Sequence, residues 1–129
     1  MVILASVFAV LAALLHVLFF AFESLLFERP DVHARFQTRT QDVPAVRPWA
    51  YNQGFYNLFL AVGALVGAVL ALAGQETVGL ALILLACGSM LAAALVLVAT
   101  NRSMARAAAT QGTFPLLAVV FAVLALVNG

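Results

Sequence analysis

The chain has 129 residues, 66% of them hydrophobic and 9% charged. Soluble domains run about 45–50% apolar and about 25% charged, so a water-soluble fold of this size cannot hide so much apolar surface and lipid must be its solvent. A net charge of +1 gives no reason to expect a nucleic-acid partner, and a single Cys excludes an internal disulfide, a CxxC redox motif and a Cys-rich metal site.

A membrane-spanning helix needs about 20 mostly apolar residues. The first candidate runs from Val2 to Phe27 and is uncharged until Glu23. It is too long for a signal-peptide core, lacks a basic leading region and is followed by no A-x-A pattern, so it is expected to be retained. The polar stretch 28–48 (ERPDVHARFQTRTQDVPAVRP) interrupts the helix with Pro30, Pro44 and Pro48 and carries four of the six arginines. A second span is expected over 49–73, a turn at Gly74-Gln75-Glu76-Thr77, a third span over 78–100 and a fourth over 107–127, with Gly112 and Pro115 in its first turns. The expectation is an all-α, four-transmembrane-helix bundle forming one integral membrane domain over 1–129.

The arginines give an orientation. Four lie between spans one and two, two between spans three and four, and none elsewhere. Loops flanked by basic residues stay in the cytoplasm. Loops one and three are therefore expected on the cytoplasmic side and both termini outside, an asymmetry that also argues against insertion both ways round.

Lipid tails give helices no hydrophobic reason to associate, so their contacts are built from small residues. Each span has such a stripe at helical spacing. The first offers Ala5, Ala9, Ala12, His16 and Glu23, and the second Asn52, Tyr56, Gly63 and Gly67. The third offers Ala86, Ser89, Ala93 and Thr100, and the fourth Gln111, Pro115, Ala118, Ala122 and Ala125. Each stripe turns polar toward its cytoplasmic end. At a rise of 1.5 Å per residue, Glu23 lies roughly 6 Å inside the boundary, Gln111 roughly 7 Å, Asn57 roughly 12 Å and His16 roughly 16 Å. Ser89 falls near the level of His16. The expectation is a polar pocket in the cytoplasmic half, floored by packed Ala and Gly.

A charged side chain at the bilayer centre costs roughly 2.5–3.5 kcal/mol on insertion scales. Glu23 and His16 should therefore face the bundle interior or water, as acid/base candidates. They stand seven residues and about 10 Å apart, too far for a direct hydrogen bond. Asn52, Gln53, Asn57 and Gln111 supply amides, Tyr56 a phenol and Thr100 a hydroxyl for ligand binding. Plainer readings stand beside these. Glu23 can snorkel or pair with Arg29 or Arg102, His16 can be a neutral core histidine bonded to Ser89, and Asn52 and Gln53 can cap the second helix. Gly63 and Gly67 can pack within the chain or form a homodimer. Cys87 reads as inert, and Trp49 and Tyr51 as an interfacial belt. Two histidines in all, with His33 in the loop, make a di-iron or zinc centre unexpected. No cofactor is expected, and no phosphate-binding or nucleophile-elbow motif is present.

At His16-x-x-Phe19-x-x-x-Glu23, Asn52-Gln53-Gly54-Phe55-Tyr56-Asn57 and Gln111-Gly112-Thr113-Phe114-Pro115, the chain resembles the small bacterial four-span membrane proteins catalogued as domain of unknown function 1304. The match covers essentially the whole chain, the Asn-Gln-Gly string being its most specific part. It departs from the family pattern where Leu97-Val98 stand in place of Tyr-Gly. The resemblance implies a four-helix protein of the bacterial inner membrane and supplies no activity. Three functions are open from the sequence. One is a pocket for a small or lipid-like molecule, with or without acid/base chemistry. Another is a proton-coupled transporter with Glu23 as the proton carrier. The third is a structural subunit.

Overall fold

The computed structural model describes all residues, Met1–Gly129. Four helices are long and apolar enough to cross a membrane, making this an all-α, multi-pass membrane protein. Helix α1 spans Val2–Phe20 and continues as a π-helical turn over Ala21–Leu25. A short helix α2 (Pro30–His33) lies in the loop, followed by α3 (Val43–Leu72), α4 (Glu76–Thr100) and α5 (Ala105–Asn128). The long helices pack in a ring in which α1 meets α3, α3 meets α4, α4 meets α5, and α5 closes back on α1.

Two boundaries lie outside the expected spans. Helix α3 begins at Val43 because Pro44 falls in its first turn, where the missing N–H has no helical partner to lose. Pro48 is inside α3 but on its exposed end, which leaves the freed carbonyl accessible to solvent. Helix α5 begins at Ala105, so Pro115 is mid-helix and buried rather than in a first turn. Without a proline N–H, the Gln111 carbonyl loses its i+4 donor.

The bundle is small inside and large outside. Ala5, Ala9, Ala12 and Ala13 of α1 meet Ala61, Ala64 and Ala68 of α3 and Ala118 and Ala122 of α5. Leu80, Ile83 and Met90 of α4 are fully buried and fill the space those alanines leave. Large apolar residues such as Leu14, Leu72, Leu85 and Val127 point outward, the arrangement expected when close backbone approach holds helices together in lipid. Gly67 and Gly79 mark the closest approach of α3 and α4. A Cβ on Gly67 would lie 2.9 Å from the Gly79 carbonyl oxygen, and one on Gly79 would lie 2.7 Å from the Ala71 Cα. Gly63 faces Ala86 of α4 at 3.5 Å by the same measure. The Gly63/Gly67 pair thus packs against α4 within the chain.

On α4 the buried stripe is Gly79, Ile83, Ala86, Met90 and Ala94, so of the expected Ala86, Ser89, Ala93 and Thr100 only Ala86 belongs to it, while Ala93 lines the cavity described below. Ser89 and Thr100 face outward, with hydroxyls donating to the Leu85 and Val96 carbonyls at 2.7 and 2.8 Å. Bonding to the preceding turn satisfies the hydroxyl, so these residues need no interior partner. On α3, Asn52 and Tyr56 are exposed, while Ala50, Gly54, Asn57 and Ala61 form the buried face.

Candidate functional site

The end of the bundle that carries the arginines is built around the last turn of α1. There the Leu26 N–H bonds to the Ala21 carbonyl, five residues back, at 2.9 Å. The widened turn places the half-buried Glu23 beside α3, and such turns often occur where a helix presents a functional group. Gly54 permits the contact. A Cβ there would overlap the Ser24 hydroxyl and lie 3.0 Å from the Ser24 backbone nitrogen. The Ser24 hydroxyl donates to the Tyr51 carbonyl at 2.7 Å, and Asn57 Nδ2 donates to Glu23 Oε2 at 2.6 Å. Within the string 52–57, Gly54 gives the approach and Asn57 meets the carboxylate.

Glu23 and Asn57, half-buried and buried, line a cavity of about 620 Å³. Phe19 and Phe22 of α1, Leu97 of α4 and Thr110 and Gln111 of α5 form its sides, with Gln53 of α3. The loop closes one wall with Arg35, Phe36 and Gln37. This loop is a packed cap with its own small core of Phe27, Phe36, Val43, Val46 and Ala50. His33 is buried against Phe27, and its Nδ1–H donates to the Thr38 carbonyl at 2.8 Å. Gln37 has a left-handed φ of 54°, and its amide joins the cap to the α4–α5 turn. Its Nε2 donates to Ser103 Oγ at 3.0 Å, and Asn101 Nδ2 donates to its Oε1 at 3.3 Å.

The loop acids are all engaged. Asp31 pairs with Arg29 at 3.1 Å, Asp42 with Arg39 at 2.8 Å and Glu28 with Arg47 at 3.0 Å. The Arg29 guanidinium holds the Asp31 carboxyl below the usual carboxylate range, and hydrogen bonding to Asp42 holds Arg39 in its charged form. Arg35 and Arg106 line the cavity with no carboxylate partner; the Arg35 guanidinium stacks 5.4 Å from the centre of the Phe22 ring.

Of the residues singled out from sequence, Glu23, Gln53, Asn57 and Gln111 come together in this cavity. Asn52, Tyr56 and Thr100 are exposed and outside its lining. His16 is fully buried in the Ala seam, where it does not join Glu23. Its Nδ1–H donates to the Ala12 carbonyl at 2.9 Å, its ring edge meets Phe19, and Nε2 has no partner.

A family model described as "Protein of unknown function (DUF1304)" matches residues 10–123, a range that takes in every residue of the cavity. The chain belongs to the DUF1304 family. No curated protein and no solved structure gives a match. For this DUF1304 chain the residues that sequence reasoning missed are Arg35 and Arg106. The sequence carries no local signal for either, since Arg35 has Asp31 four residues away and the pairing of Arg47 with Glu28 shows that ion pairs here reach across the loop.

Proposed function

We propose that this protein is a membrane-embedded binding site for a small amphiphilic molecule, held with one end on Glu23 and Asn57. The observation that carries the reading is the Asn57–Glu23 contact of 2.6 Å in the lining of a cavity of about 620 Å³, a volume within the range of small-molecule sites, about 300–1,000 Å³. A carboxylate in a spanning helix is costly unless it faces a polar cavity, and ligand sites combine largely apolar walls with a few converging polar groups. Phe19, Phe22 and Leu97 supply the first, and Glu23, Asn57, Gln53 and Gln111 the second. Glu23 is the one carboxyl in the lining and so the group available to exchange a proton with an occupant.

The six-to-zero division of arginines supports a cytoplasmic opening with both termini outside, in a bacterial inner membrane. The packed seam of Ala5, Ala9, Ala12 and Ala118 beyond the cavity favours a one-sided pocket over alternating access. Mass spectrometry of molecules extracted from gently purified wild type and Glu23→Gln tests the proposal. The expected result is a stoichiometric compound in wild type that is lost in the variant while the fold is kept. Bulk lipid alone in both would overturn it.

A further inference from the structure

Three of the six arginines are matched by the three loop acids, which leaves Arg35, Arg102 and Arg106 without an ion pair. Arg102 lies in the α4–α5 turn but outside the cavity lining. The two unmatched arginines that do line the cavity come from different elements, Arg35 from the cap and Arg106 from the first turn of α5. Gln37 and Ser103, which also line the cavity, tie cap to turn. The one acid in the lining, Glu23, is half-buried and already accepts from Asn57. The lining therefore holds two guanidiniums that no ion pair engages; Asp31, the acid that feels the charge of Arg35, is itself paired to Arg29.

We propose that Arg35 and Arg106 bind the phosphate monoester of the molecule held in this cavity, with its apolar body inward along Phe22 and Leu97. The inference rests on the pocket reading above and names the chemistry of the occupant's outer end. A guanidinium stays charged at all relevant pH and offers a planar fork of N–H donors that fits phosphate oxygens. A phosphate monoester carries about −1.5 to −2 charges near pH 7, which matches two guanidiniums, whereas a single carboxylate would leave one unmet. The stacking of Arg35 on Phe22 orients one guanidinium before any ligand arrives. The phosphate can belong to a soluble phosphomonoester or to a lipid headgroup.

The test uses the full chain in neutral detergent, titrated by native mass spectrometry with three probes: glycerol 3-phosphate, dioctanoyl phosphatidic acid and phosphate-free dioctanoylglycerol. Wild type should bind at least one phosphate probe, and which of the two it binds assigns the source. Arg35→Ala and Arg106→Ala should each weaken that binding by about tenfold or more, as expected for loss of a charge-assisted contact. Arg102→Ala should leave it unchanged, and thermal melting should show all three variants folded, since all three side chains are exposed. Equal binding of dioctanoylglycerol, binding of neither phosphate probe, or an equal loss in Arg102→Ala would overturn the assignment. A compound that depends on Glu23 but is indifferent to both arginines would overturn this inference alone and leave the pocket standing. Loss of the Glu23 dependence with the arginine effects intact would instead remove the inner anchor.

Discussion

The same four helices make opposite choices at their two ends. Away from the arginines, α1, α3 and α5 meet through alanine, Gly67 and Gly79 bring α3 and α4 into backbone contact, and the space is filled by Ile83 and Met90. At the arginine-bearing end the helices part around a cavity, the turn of α1 widens, and the polar side chains of four elements converge. Glycine serves both ends. Gly79 closes helix on helix, while Gly54 brings Glu23 to Asn57 without closing the space beside them. The difference teaches that small residues hold this protein together, and that the polar side chains which converge, unlike the isolated Ser6 and His16 of the seam, do so where the bundle opens.

Filling the closed end should have the largest effect. In Gly79→Leu the new side chain would begin 2.6 Å from the Gly67 carbonyl oxygen, and backbone cannot yield as a side-chain tip can. Overpacking costs about 1–3 kcal/mol, and this substitution should fall at the top of that range in unfolding measured in detergent. An unchanged midpoint would break the account of the seam.

The open end is sharpened by a pair of asparagines five residues apart on one helix. Asn57→Ala leaves the Glu23 carboxylate without its donor and should cost about 1–3 kcal/mol. Asn52→Ala, on the exposed face, should stay within about 0.5 kcal/mol. Equal costs would mean that the polar string is read wrongly.

The smallest effect concerns the cap. Because Arg29 depresses the Asp31 carboxyl in the folded state, the pair favours the fold above the ordinary aspartate range, and that contribution is lost as pH falls through the folded value. Both side chains are solvent-exposed, so the change in stability should be slight. An NMR titration should place the Asp31 midpoint higher in Arg29→Gln than in wild type; coincident midpoints would contradict the pairing.

Much of this was legible in the sequence. Uninterrupted apolar length gives four helices, and the stripes of α1 and α5 run where spacing puts them, through Ala5, Ala9, Ala12 and His16 and through Pro115, Ala118 and Ala122. The α4 stripe was misassigned because a hydroxyl reads as interior from sequence, while Ser89 and Thr100 satisfy theirs on their own helix. Asn52 and Tyr56 were placed with Gly63 and Gly67 by spacing alone, but the buried face of α3 is rotated toward Gly54 and Asn57. Helix α3 starts earlier than the apolar run because Pro44 fits a first turn and Pro48 an exposed one, and α5 starts two residues before the expected 107. That Arg35 and Arg106 line one cavity depends on how the cap meets the α4–α5 turn, a long-range arrangement that no local pattern encodes.

The contrast between ends can be measured on one helix. Gln111 lines the cavity, and Ala118, two turns further on and along the same stripe, is fully buried in the seam. Cys87, the single native cysteine, is buried and provides a silent background. Reaction of Gln111→Cys and Ala118→Cys with a charged, membrane-impermeant thiol reagent in vesicles of each orientation is the most direct test. The account predicts rapid labelling of Gln111→Cys only from the side bearing the arginine loops, and none of Ala118→Cys from either side. Labelling of Ala118→Cys, or failure of Gln111→Cys to react from that side, would contradict a water-accessible cavity set on a sealed seam.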